Sequence, residues 1–271
     1  MTADPTSRQP LFSLTDGFRL VLASGSPRRR LFLSEWGLPF ELARPDGAEP
    51  LPLPGEHPDA YTRRAAAAKA YAVAASMNRT GAAASTSTQE KAIILSADTV
   101  VAVDGDILGK PHDAAHALSM LQRLTGRGHE VISAVCLLLP PAADTSEQVS
   151  RDTYGGACGN AFDATPGNKP DRVPSPEKNS VYQGCGAEEL IFSDVSRVYF
   201  HPWPENVLRA YVDTGEPHDK AGAYAIQGQG AFLVDRIEGS WSTVVGLPVT
   251  QLAHLLLDRG FMRPCPSLRL P

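Results

Sequence analysis

The sequence predicts an α/β protein built on a mixed β-sheet. Apolar runs of strand length alternate along the chain with stretches whose apolar residues recur at helical spacing. Hairpin signals interrupt that alternation, so the strands cannot all be parallel. The composition, 42% hydrophobic and 20% charged over 271 residues, supplies enough apolar side chains for one large core.

Taken in order, FRLVLAS reads as a buried strand, PRRRLFLSEWG as a helix ending at Gly37, and FELARP as a returning strand. DAYTRRAAAAKAYAVAASM is an alanine-rich helix, followed by the low-complexity loop TGAAASTSTQEK. IILSADTVVAVDGDILGK is expected to form two strands, with Asp104-Gly105 as the tight turn between them. HDAAHALSMLQRLTGRG has an N-cap at Asp113 and stops at Gly126, and HEVISAVCLLL is another strand. From about 140 to 187 the chain turns to proline, glycine, serine, asparagine and charge without an apolar period, which reads as an inserted loop rather than a domain. ELIFSDVSRVYF resumes as a strand, PENVLRAYVDTG as a helix, AFLVDRIEG as a strand, and TQLAHLLLDRG closes as a helix. The expected organisation is one domain over 1–271, its core spanning about 18–262, with that single insertion.

Several function classes are disfavoured by composition. A formal net charge of -5 argues against binding nucleic acid over a broad surface, while leaving room for a local cationic site. No apolar run approaches the ~18 residues that span a bilayer, and the polar start MTADPTSRQP is not a secretory signal, so a cytoplasmic protein without membrane attachment is expected. Cys136, Cys158, Cys185 and Cys265 lie far apart and form no CxxC pair, as expected of reduced thiols. His112 and His116 have helical spacing without an accompanying HExxH, and read as surface residues of a helix start.

Chemistry concentrates at VLASGSPRRR, residues 21–30, where a strand runs into three arginines. Ser26 is a good N-cap and Pro27 suits the first helical position. The helix start presents unpaired N–H groups and the positive end of the dipole, a ready anion site. Arg28 and Arg29 add forked donors that match phosphate oxygens, and Gly25 permits close approach to the backbone. In ADTVV, Asp98 ends an apolar run, where a carboxylate must meet a cation, a metal or water. Lys110 in LGKP and Lys69 in KAYA are further cations, and each taken alone reads as a solvated lysine. DKAGAYAIQG, with Asp219, Lys220 and Gln227, is too glycine-rich for a helix core. It reads either as an irregular connection or as a loop wrapping a ligand, with the Gln227 amide offered to a base or sugar.

Together these segments resemble the Maf family of nucleoside triphosphate pyrophosphatases, once known as septum-formation inhibitors. LASGSPRRR, Lys69-Ala70, SADTVVAVDGDILGKP, ALSMLQRLTGRGHEV, EPHDKAGAYAIQG and VVGLP occur in the family's order across roughly 18–250. The resemblance implies an elongated mixed sheet flanked by helices, two lobes around a deep cleft, and a fold distantly akin to inosine-triphosphate pyrophosphatases. It implies hydrolysis between the α- and β-phosphates, giving a nucleoside monophosphate and pyrophosphate. Asp98 then matches the catalytic proton acceptor. Arg28, Thr99 and Gln227 match specificity positions, and Lys69 and Lys110 match cleft lysines for phosphate oxygens. Ser24, Ser26, Arg29 and Lys220 complete the expected substrate site. SPRRR, SADTVV and DKAGAYAIQG align with the branch associated with dTTP, UTP and modified pyrimidine nucleotides. The other branch, associated with 7-methyl-GTP, carries a tryptophan after SP and a glutamine at the Thr99 position. A divalent metal is implied, Mg²⁺ with Mn²⁺ or Co²⁺ as substitutes, held by Asp98 and a second carboxylate. PDGAEP stands where the family has an acidic run ending in glutamate. Glu49 is the candidate there and Asp46 its rival. A homodimer is expected by the same resemblance. The alternative is a nucleotide-binding regulator of division or growth arrest without required turnover.

Overall fold

The computed structural model describes residues 9–47, 49–79, 90–140 and 188–265. The sequence's N-terminal stretch, most of the low-complexity loop, the insertion beyond Pro140, and Cys158 and Cys185 lie outside these residues. All the described residues but Pro140 belong to one unit, Met1–Leu139 with Glu188–Pro271. Its centre is a seven-stranded mixed sheet ordered β3-β2-β4-β6-β7-β8, with β5 added to β4. The strands are β2 Phe18–Ala23, β3 Glu41–Ala43, β4 Lys91–Val103, β5 Asp106–Leu108, β6 Gly128–Leu139, β7 Glu188–Phe200 and β8 Val234–Glu238. β2 runs parallel to β3 and β4, and the remaining pairings are antiparallel. A small antiparallel pair, β1 Phe12–Leu14 with β9 Met262–Pro264, joins the two ends of the described chain, and the sequence reading had neither strand.

The Asp104-Gly105 turn forms as expected, with both residues at positive φ (55° and 84°), the requirement of a tight two-residue hairpin. β6 and β7 pair from Gly128↔Tyr199 to Leu139↔Glu188. The insertion therefore connects two strand ends that already face each other, and long connections at such a point cost little register or stability.

Side chains alternate across β4 and so divide the helices between two faces. On one face Val100 and Ala102 pack with Tyr61 and Ala65 of α2, Pro58–Arg79. Small residues on this helix allow a close approach, and Ser96 on β4 donates to the Ala66 carbonyl at 2.6 Å. On the other face Ala97 belongs to an apolar cluster with Leu33 of α1 (Pro27–Glu35) and Leu252 and Leu256 of α6 (Val249–Asp258). Val101, two positions further, belongs to a second cluster with Leu121 of α3 (Ala114–Leu124) and Leu208 and Tyr211 of α4 (Glu205–Asp213). Between Ala97 and Val101 stands Thr99, so the core on this face has a polar seam. A short helix α5, Trp241–Val245, covers the seam.

Among the described residues, no helix is long and apolar enough to cross a membrane. Cys136 and Cys265 are free thiols, the former buried.

Candidate active site

The site begins with an interruption along one edge of β4. β2 pairs with it as far as Leu95, and β5 takes up the same edge only at Val101. Residues 96–100 thus lack a strand neighbour on that side, while β6 pairs the other edge throughout. β2 ends at Ala23, and the chain turns through Ser24, Gly25 and Ser26 into α1, which brings the SPRRR segment to this gap.

The helix start differs from its expected capping. Ser26 occupies the N-cap position, but its side chain caps nothing. The Ser24 hydroxyl instead accepts the Ser26 N–H (3.2 Å) and a donor from Arg29 (3.3 Å). A Cβ added at Gly25 would meet no atom within 4 Å, so the space above the turn is open. The N–H groups of Arg28 and Arg29, in the first turn of α1, have no intrahelical partner.

The adjacent arginines part company, because successive helical residues lie ~100° apart around the axis. Arg29 turns inward and is buried. It donates to the carbonyls of Gly246 (2.8 Å) and Ala97 (2.8 Å) and to Thr99 Oγ1 (2.9 Å), besides Ser24. Burial lowers its pKa, opposed first by the charge of Asp98. Every branch of its fork is engaged in bracing the gap, so Arg29 is a strut in this structure rather than an open anion contact. Arg28 is half-buried, with Nε enclosed and no hydrogen-bond partner among the described residues. Burial lowers its pKa too, with Asp219 opposing. Asp219 is itself paired with Lys220. The structure therefore brings Arg28, Asp219 and Lys220 into one electrostatic group.

Asp98 points to the α2 face of β4 and is 5% exposed. Lys69 Nζ, from α2, donates to Asp98 Oδ1 at 2.5 Å and to Glu49 Oε1 at 2.7 Å. Lys69 thus bridges the two carboxylates, and Lys110 lies close enough for its charge to act on Glu49. Burial raises the pKa of Asp98, with the charge of Lys69 working against it. For Glu49, burial works upward, but the hydrogen bond and charge of Lys69 outweigh it, and its pKa is lowered. Of the pair, Asp98 is the better proton acceptor. Asp46, the rival, is exposed and lies 3.8 Å from Arg79.

Gln227 is half-buried. Its segment forms short 3₁₀ turns, Ala221–Ala223 and Gly228–Leu233. Gly222 sits at φ +67°, and its N–H bonds the Gly109 carbonyl (3.0 Å), tying this segment to the Lys110 turn. The sequence reading missed Glu216, whose carboxylate accepts the N–H groups of Gln229 (2.8 Å) and Gly230 (3.2 Å) just beyond Gln227. It also missed Ser133, Thr243 and Asp194. Ser133 and Asp194 interrupt apolar strands, and that signal was available.

The protein compares closely with known proteins over most of its length. It is 45% identical over 241 residues to the dTTP/UTP pyrophosphatase of Nitratidesulfovibrio vulgaris, covering 89% of this chain and 88% of that one. It is 44% identical over 245 residues to the protein of the same name from Oleidesulfovibrio alaskensis, covering 90% and 87%. The Burkholderia pseudomallei dTTP/UTP pyrophosphatase is 40% identical over 248 residues. The family model described as Maf-like protein matches residues 19–154 and 178–259, and on that extent of agreement the chain belongs to the Maf-like protein family.

Proposed function

We propose that this protein is a nucleoside triphosphate pyrophosphatase acting on dTTP, UTP and related pyrimidine nucleotides. The observation that carries the reading is a buried carboxylate, Asp98, held against Lys69 and Glu49 at a gap in the sheet that also receives the start of α1 and Arg28. Pure binding of an anion has no use for a buried carboxylate whose proton affinity is raised. The names of the relatives, dTTP/UTP pyrophosphatase, support the same activity and substrate class.

In this reading Asp98 accepts a proton from a water that attacks the α-phosphorus. The bond from that phosphorus to the bridging oxygen breaks, and pyrophosphate leaves with the electron pair. Lys69, Lys110, Lys220 and the first-turn N–H groups neutralise the charge that gathers on the leaving oxygens. Ser24 and Ser26 shape the turn, Arg29 braces it, and Arg28, Thr99 and Gln227 contact the base and sugar. Asp98 and Glu49 fit a hard divalent ion. They are two neighbouring carboxylates, and among the described residues no larger His, Cys, Asp or Glu group forms a metal site. That donor set suits Mg²⁺, or Mn²⁺ or Co²⁺ in its place, which takes one or two carboxylates and completes its shell with water and phosphate. When bound, the ion supplies charge neutralisation on the phosphate oxygens. A cytoplasmic location and a homodimer, implied by the family resemblance, belong to the same proposal.

The test is to incubate the protein and an Asp98→Asn variant with Mg²⁺ and a panel of nucleoside triphosphates and to resolve the products. Pyrophosphate and monophosphate from dTTP or UTP, lost in the variant, are expected. Orthophosphate as the product, or no turnover of any nucleotide, overturns the reading.

A further inference from the structure

The polar seam has a definite direction of hydrogen bonding, which limits what Thr99 can offer a ligand. Thr99, Ser133 and Asp194 stand opposite one another on β4, β6 and β7. Ser133 is fully buried, and its hydroxyl donates to the Thr243 carbonyl at 2.7 Å. A hydroxyl has one proton and a carbonyl has none, so the Ser133 proton is committed there. In the 2.8 Å contact between the two hydroxyls, Thr99 must therefore be the donor and Ser133 the acceptor. On its other side Thr99 Oγ1 accepts from Arg29 Nη2, a group that can only donate. The Thr243 hydroxyl donates to Asp194, which anchors the far end of the row. The proton and one lone pair of Thr99 are thus used, and one lone pair is left. Arg29, Ser133 and Thr243 are buried, whereas Thr99 is partly open to solvent at the gap in the sheet.

We propose that Ser133 is a positioning residue that fixes the Thr99 hydroxyl as an acceptor toward the nucleobase. The site then favours bases that carry an imide N–H, as uracil and thymine do at N3, over cytosine, whose N3 is itself an acceptor. This rests on the proposed function, in which Thr99 faces the base. Two acceptors set against each other lose a hydrogen bond and leave both groups desolvated and unpaired, the situation that gives polar sites their selectivity.

The experiment compares kcat/KM for UTP and CTP in the wild type and in Ser133→Ala. In the variant the Thr99 proton loses its acceptor. Its remaining contact, the Gly246 carbonyl, is long at 3.4 Å, so the hydroxyl is released to donate outward. The wild type is expected to prefer UTP, and Ser133→Ala to lower the UTP:CTP ratio by about tenfold. A residue with only a structural role would reduce both substrates alike, and an unchanged ratio overturns the proposal. A second measurement needs no variant: the wild type should turn over 5-methyl-UTP well and N3-methyl-UTP poorly, and equal turnover of the two overturns the proposal. Absence of pyrophosphate from every nucleotide in the wild type would instead remove the enzymatic reading itself, a result distinct from an active enzyme with an unchanged ratio.

Discussion

Arg28 and Arg29 are adjacent, identical in chemistry and opposite in role, and replacing each by methionine separates strut from ligand contact. Arg29 makes four hydrogen bonds in a buried setting, two to the carbonyls of Ala97 and Gly246 and two to the hydroxyls of Ser24 and Thr99. Methionine is spared the desolvation of a buried guanidinium, but it leaves at least two buried acceptors without a donor, at about 1–3 kcal/mol each. The expected net loss is about 3 kcal/mol, equivalent to a fall in Tm on the order of 10 °C for a chain of this size. The Arg28 Nε is buried without a hydrogen-bond partner among the described residues. Arg28→Met should therefore stay within about 0.5 kcal/mol of the wild type in stability. Its cost appears with substrate, where one lost charge-assisted contact of about 2 kcal/mol lowers kcat/KM on the order of 30-fold. Urea and thermal unfolding alongside steady-state kinetics read both effects. An Arg29→Met variant as stable as the wild type, or an Arg28→Met variant that is the less stable of the two, would refute the division of labour.

Three further outcomes follow from particular contacts. His129 is buried against Tyr224 and Phe200, and burial, with the charge of Arg127 assisting, depresses its pKa to about 4, below the ordinary 6.5. Its neutral form thus contributes stability that is complete above pH 6.5 and is lost as pH falls toward 4. That loss amounts to about 3 kcal/mol, and His129→Phe should flatten that part of the urea-unfolding profile. An unaltered profile would contradict it. Gly222→Ala would set a Cβ 2.8 Å from Val101 Cγ2 at a left-handed φ, so it should lose about 2 kcal/mol or more and disturb the Lys110 turn, seen as lower Tm and lower kcat/KM. Glu216→Gln should raise KM several-fold with a smaller change in kcat, because the carboxylate that orders the backbone beyond Gln227 is weakened; an unchanged KM would mean that this segment does not reach the substrate.

Much of the fold was legible because its determinants are local. The apolar run of IILSADTVVAV, the Asp104-Gly105 turn and the Asp113 cap, which accepts the His116 N–H at 2.7 Å, all act within a few residues. β1 and β9 were not legible, since three-residue strands from opposite ends of the chain carry no periodicity and exist only through each other. The site divides the same way. Residue types marked Asp98, Lys69 and Lys110, but the choice between Glu49 and Asp46 depends on which carboxylate the loop carries to Lys69, and no spacing encodes that. Ser24 and Ser26 look interchangeable in SGSPR until the backbone turn aims the first back at the N–H of the second. The three arginines read as one basic cluster because the side of α1 that meets the sheet is decided by packing of Leu33.

The most direct measurement of the central claim is hydrolysis of UTP in oxygen-18-labelled water, with the position of the label read by mass spectrometry. Attack at the α-phosphorus beside Asp98 predicts the label in the nucleoside monophosphate and none in pyrophosphate. Label in pyrophosphate would mean attack at the β-phosphorus, and label in orthophosphate would mean that the terminal phosphate is the one removed; either would contradict the account.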